Sequence, residues 1–284
     1  MTFGANSRYL VGGDDEGLRV WRVQDGKQIA TTPASKVRCV AVSEDGVWIA
    51  AGTSKEVVVW DAKTYKETFA LEEDHRTTMN GVDFSPDSTQ LLVASRDYRA
   101  TVWDIATRER VLLLHHEGAV VAAKFSPQGD RIATATRNSV RVYDSNNGRL
   151  LMDITVKVTP WYNTSLLWSD RQLLVVSDSK FKQIDASTGS VISEWAVPEG
   201  HEFRCIALST PGEFIAHSTN CTVTFWDAST HTLLGRIQHP QGCQGILSVA
   251  LSPDDRLIAI GGKDGKIVIM RLSRIIVSVV TLLH

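Results

Sequence analysis

An aromatic or large apolar residue at the end of a β-branched run returns about every forty residues along this chain. The segments are "LRVWR" (Trp21), "VVVWD" (Trp60), "ATVWD" (Trp103), "VRVYD" (Tyr143), "FKQID" (Ile184), "VTFWD" (Trp226) and "IVIMR" (Met270), spaced by 39, 43, 40, 41, 42 and 44 residues. A second marker precedes most of these anchors by 15–18 residues: "VDFSPDS" (82–88), "AKFSPQG" (123–129), "IALSTPG" (206–212) and "ALSPDDR" (250–256), with "AVSEDGV" (41–47) a looser copy. Two independent markers on one period establish internal repetition, and a period of 40–45 residues is that of a four-stranded propeller blade.

Each period reads as four short strands. In the third, "MNGVDF" (79–84), "QLLVAS" (90–95), "ATVW" (100–103) and "RVLLLH" (110–115) alternate with turn residues. Asp25-Gly26, Asn147-Gly148 and Thr188-Gly189 fall between third and fourth strands, where a hairpin needs positive φ. No stretch carries a convincing helical period, so the expected class is all-β. Strands apolar on both faces must be covered on both sides, and stacking small sheets radially about an axis does this. Each anchor then lies between neighbouring blades. A buried tryptophan removing ~200 Å² from water contributes about 5 kcal/mol, which accounts for the recurrence without chemistry. Seven anchors predict a seven-bladed β-propeller of four-stranded antiparallel blades, over roughly 1–35, 36–77, 78–117, 118–158, 159–200, 201–241 and 242–284.

These residues resemble the WD-repeat (tryptophan–aspartate) β-propeller family over the whole chain. In that family a loop His, a strand Ser or Thr, a turn Asp and the anchor Trp form a structural hydrogen-bonded tetrad. The resemblance places the full set at His75, Ser95, Asp97 and Trp103 in the third repeat. The sixth carries His201, Ser218 and Trp226 with Asn220 for the Asp, and the seventh keeps His239 and Asp264 beside Gly262 and Met270. The Ser–His–Asp grouping near residue 95 is thus the best-preserved copy of an architectural repeat, and it predicts no catalysis. The repeat style ("WDASTHTLLG", "WDIATRERVL") is also similar, less specifically, to propeller regions of fungal nucleotide-binding receptor-like proteins, where such a ring is the sensor of a larger chain.

Other chemistry finds little support. With 30 basic and 32 acidic side chains the net charge is −2, which implies no nucleic-acid or membrane-surface field. The longest apolar stretch, residues 275–283, is under half a membrane span, and "MTFGANSRYL" lacks the pattern of a secretory signal. Cys39, Cys205, Cys221 and Cys243 show no zinc spacing, so a reducing, cytoplasmic setting is expected. His115-His116-Glu117 reads as loop or tetrad histidine before a first strand, not a metal cluster, and Asp14-Asp15-Glu16 as a solvated turn. No phosphate-loop, dinucleotide or nucleophile-elbow motif occurs, and no cofactor or metal is expected.

What remains is surface. The resemblance implies that loops entering first strands and turns between second and third strands converge on one face that engages partners. Positions matching that face include Arg38, Asn80, Arg96, Arg204 and Lys263, with Trp161 and Tyr162 entering where the fifth repeat lacks its histidine. Arg and aromatics are the usual anchors of interfaces, although Trp161 fits equally a cap on blade packing. The expected role is a non-catalytic scaffold or recognition ring, monomeric, binding protein or peptide and neither nucleic acid nor membrane. The alternative is a hydrolase using the central channel, for which the innermost strands offer only Asp83 and Lys124. Only "MTF" precedes the first repeat's second strand, while the tail 275–284 is long enough for the last blade's outer strand. Closure would then rest on side-chain packing between blades one and seven, or the chain is cut from a larger protein.

Overall fold

The alternation of apolar residues around Trp103 becomes four antiparallel strands, Met79–Phe84, Gln90–Ser95, Arg99–Asp104 and Arg110–His115. In this computed structural model the described residues are 1–34, 36–71, 77–158, 166–177, 180–196, 205–210, 212–239 and 244–272, with the backbone of 277–283. Six further sheets follow the same plan. Each consists of four strands in chain order, hydrogen-bonded to their sequence neighbours. The result is the seven-bladed, all-β propeller that the repeat predicts.

Burial follows position within a blade. In the third blade both faces of the second and third strands are buried, whereas the outermost strand is half exposed. Apolar burial among the described residues divides into seven clusters, one for each junction between neighbours. Every anchor faces the preceding blade. Trp103 packs with Ala41, Val59 and Phe69 of blade 2, and Tyr143 with Leu92 and Val102 of blade 3. Ile184 and Met270 occupy the same place as the aromatics, in the junctions to blades 4 and 6. The position requires bulk, and an aromatic ring is one way to supply it.

Both sequence markers are turn devices at one end of the ring. Ser85 Oγ donates to Asp87 Oδ1 at 2.6 Å and accepts from the Gln90 amide at 2.9 Å, closing the turn between first and second strands. Ser43, Ser126 and Ser252 do the same with Asp45, Asp130 and Asp254. The Asp after an anchor caps the turn between third and fourth strands. Asp227 Oδ1 accepts from the Ser229 and Thr230 amides, and Asp185 Oδ1 from those of Ser187 and Thr188. Four residues after the anchor-following position, Gly26, Gly148 and Gly189 take φ near 70°, as expected. Tyr65, Arg108 and His231 adopt the same left-handed conformation at the equivalent position in blades 2, 3 and 6, without glycine's steric licence.

The first blade does have an innermost strand, only two residues long. Thr2 and Phe3 pair with Val11 and Leu10. The last blade's outer strand, Val277–Leu283, pairs with Ile267–Leu272 of the same blade. Blades 1 and 7 therefore share no strand pairing: Phe3, Leu10, Trp21 and Val23 pack on Ala250, Ala259 and Ile269, and the Met1 α-amine donates to Ser248 Oγ at 3.1 Å.

Candidate functional site

At the end of the ring opposite the marker turns, blades 2, 3 and 4 frame a cleft of about 1110 Å³. Arg38 enters it from the start of blade 2, Asn80 and Arg96 from blade 3, and Arg137 and Arg141 from blade 4. Strand topology explains the convergence. In an antiparallel sheet the second-to-third turn and the entry to the first strand lie at the same end, so both present their side chains there. The backbones of the three outermost arginines are fixed: the Arg38 amide donates to Gly52 O at 2.8 Å and the Arg96 amide to Thr78 O at 3.1 Å. Arg137 O accepts from the Val158 amide at 2.8 Å.

The side chains differ in how far they are committed. Arg141 Nε donates to Asp153 Oδ2 at 2.9 Å, so this cation is neutralised within its own blade. Asn80 Nδ2 donates to Val120 O at 2.7 Å, bridging to the entry of blade 4 and committing one of its two amide hydrogens. Arg38, Arg96 and Arg137 are exposed and form no ion pair among the described residues, while Glu117 is the one unpaired acid of the lining. Tyr98 is 53% exposed beside them, held at φ 70°. The half-buried Ala119 and Val121 provide apolar floor.

The structure thus brings together Arg38, Asn80 and Arg96 of the residues expected at a partner face. Lys263 is exposed in the equivalent turn of blade 7 and is not part of this cleft's lining. Trp161, Tyr162 and Arg204 lie outside the described residues. Sequence reasoning missed Arg137 and Tyr98. A usable signal existed for the first, since Arg137 precedes Asn138 as Arg96 precedes Asp97.

Around Trp103 the expected tetrad residues that lie among the described ones form the following local bonds. Trp103 Nε1 donates to Thr101 Oγ1 at 3.0 Å, two residues back on the same strand. Ser95 Oγ lies 3.2 Å from Thr77 Oγ1, and Asp97 Oδ2 takes the Arg99 guanidinium, with Nε at 2.9 Å. His75 falls outside the described residues. Ser95 is fully buried, which denies a substrate access to its hydroxyl.

The polar partner of each anchor depends on register. In blades 3 and 7 the residue paired across from the anchor lies twelve positions earlier, Leu91 for Trp103 and Ile258 for Met270. In the other five it lies eleven earlier, as Ile132 for Tyr143 and Ile215 for Trp226. Because strand side chains alternate, one residue less in the turn swaps the faces. Ser218, expected beside Trp226, therefore points away from it and meets Cys205 Sγ at 2.8 Å. The indole N–H of Trp226 donates instead to Nδ1 of buried His217 at 3.0 Å. In blade 4 the same register puts Thr134 with Tyr143, and His116 joins them: its Nε2 is 2.8 Å from Thr134 Oγ1 and 3.3 Å from Tyr143 OH. Burial, reinforced by the Arg141 charge, pushes the His116 imidazole down to about 4. In blade 7, a Cβ on Gly262 would lie 2.4 Å from Asp264 Oδ1 and 3.6 Å from His239 Cε1, so the glycine leaves the room that the carboxylate takes.

The channel residues weighed for an enzyme are tied to each other. Lys124 Nζ sits 2.6 Å from Asp83 Oδ1, and the Phe125 amide donates to Asp83 Oδ2 at 2.9 Å. The pair clamps the innermost strands of blades 3 and 4.

Comparison with known proteins agrees with this geometry. The family description "WD domain, G-beta repeat" matches residues 26–61, 66–104, 108–144 and 232–269, together just over half of the chain. The serine-threonine kinase receptor-associated protein of Gallus gallus is 24% identical over 196 residues, covering 68% of this chain and 54% of that protein. WD repeat-containing protein 18 of Danio rerio is 23% identical over 264 residues, covering 82% and 61%. Periodic tryptophan protein 2 of Arabidopsis thaliana is 26% identical over 245 residues, covering 82% and 26%. The chain spans between about a quarter and three fifths of these relatives.

Proposed function

Since the chain belongs to the WD-repeat family, we propose that it is a non-catalytic interaction ring that docks a protein or peptide on the cleft framed by blades 2, 3 and 4. Rings of this family generally bind protein partners, and one relative is named for association with a receptor. The observation that carries the reading is the convergence on one cleft of Arg38, Arg96 and Arg137, none of them ion-paired among the described residues, with Tyr98 beside them. A ring that used these arginines for its own stability would pair them, as it pairs Arg141 with Asp153 and Lys124 with Asp83. Aromatic and Arg side chains are the groups most often found as energetic centres of interfaces.

A monomeric ring, a cytoplasmic setting and a sensor role inside a longer chain belong to the same proposal. The buried, unpaired thiols of Cys39 and Cys205 support the second, and the greater length of the relatives supports the third. The test is capture of partners from native extract by the wild-type ring and by R38A/R96A/Y98A, with the bound proteins identified by mass spectrometry. Specific partners should fall at least tenfold in recovery while the melting temperature of the ring is kept. Equal recovery would remove this face from the binding role.

A further inference from the structure

The cleft also indicates what chemistry its occupant carries. We infer that the partner segment is a short acidic peptide, presenting Asp or Glu carboxylates to Arg38, Arg96 and Arg137 and an apolar residue to the floor formed by the half-buried Ala119 and Val121. This rests on the interaction reading above and narrows it.

Charge supports the assignment first. The whole chain has a net charge of −2, yet the lining carries four arginines against Glu117 and Asp153. Asp153 is consumed by Arg141, so three guanidiniums face one free carboxylate. A planar guanidinium recognises a carboxylate through two parallel N–H donors, a geometry a lysine could not offer.

Size and shape support it second. At about 1110 Å³ the cleft exceeds the roughly 300–1,000 Å³ of small-molecule sites and suits a stretch of polypeptide. A nucleic acid would bring a continuous run of phosphates, longer than three guanidiniums confined to one cleft can follow. Nucleic-acid surfaces are marked by extended basic stripes, whereas here three unpaired cations stand around an apolar floor. The exposed Tyr98 adds a ring at the rim, held by backbone that is costly for a non-glycine residue.

The test is fluorescence anisotropy with a fluorescein-labelled peptide of alternating Glu and Leu, compared with Gln/Leu and Lys/Leu peptides of equal length and a labelled single-stranded oligonucleotide. The Glu peptide should bind at least tenfold more tightly than the Gln peptide and weaken as salt rises, since the pairs are exposed. The variant R38E/R96E/R137E should lose that binding. K27E/K63E/K66E changes charge equally at turns on the opposite face and should keep it. If the charge-reversed ring fails to fold, R38Q/R96Q/R137Q replaces it, with the same expectation. Equal affinity for Glu and Gln peptides, tighter binding of the oligonucleotide, or the same loss in the lysine variant would each overturn the acidic-peptide assignment. Should native partners still be lost from R38A/R96A/Y98A under any of those outcomes, the docking face stands and only its chemistry falls.

Discussion

Among residues, the anchors show that one position can be filled with quite different polar consequences. Trp60 is fully buried and its indole N–H has no partner among the described residues, whereas Trp226 donates to His217 Nδ1. Replacing Trp60 by Phe removes some packing together with an orphan donor. Replacing Trp226 by Phe removes similar packing and strands the His217 acceptor, a penalty of about 1–3 kcal/mol for a buried polar group. Urea denaturation should therefore rank W226F below W60F by about that margin. His116 gives a pH signature. Its folded value near 4 lies below the ordinary 6.5, so the folded state refuses a proton that the unfolded state accepts. The stabilisation is complete above pH 6.5 and is lost as the pH falls toward 4, by about 3 kcal/mol in all. Wild type minus His116→Asn, followed by urea midpoints across that window, should show the slope. A flat difference would contradict the neutral, buried imidazole.

At the scale of strands and turns, much was legible and some was not. Both markers announce their turns because a Ser-x-Asp and an anchor-plus-Asp leave their hydrogen bonds within a few residues, inside the reach of sequence reading. The capping carboxylates are held below the usual range by these donors: Asp227 chiefly by the Thr230 amide and Asp185, near 2, chiefly by the Ser187 hydroxyl. Their contribution is present above the unfolded carboxylate value near 4 and disappears as the pH drops through the lowered folded values. Asp185→Asn and Asp227→Asn should consequently flatten acid unfolding between about pH 4 and 2, read by tryptophan fluorescence. Register was not legible. Whether the anchor's opposite residue stands eleven or twelve positions earlier depends on one residue of turn, and that decides whether His217 or Ser218 meets Trp226. The cleft was half legible for a related reason. Arg38, Asn80 and Arg96 followed from repeat equivalence, while Arg137 hid beside an Asn that does not look like the Asp of the motif.

Taken as a whole, the ring has seven junctions, six of them also joined by the chain passing from blade to blade. The junction between blades 7 and 1 rests on side-chain packing that includes Trp21, with the Met1 α-amine donating to Ser248 Oγ. Trp21→Ala should cost about 3–5 kcal/mol, as large-to-small core changes do. Hydrogen exchange should report the loss first in blades 1 and 7, whereas Trp103→Ala should loosen blades 2 and 3. Uniform loosening in both variants would mean that the ring opens only as one unit.

The two ends of the ring also answer to different masters. Side chains at the marker end hold their own backbone, so altering them taxes the fold. The side chains of Arg38, Arg96 and Arg137 form no ion pair among the described residues, and exchanging them leaves the backbone bonds at those positions in place. Descendants of this chain could therefore be retargeted by drift at three or four codons, keeping their shape while changing allegiance. A library randomised at those three sites should yield mostly soluble, cooperatively melting rings.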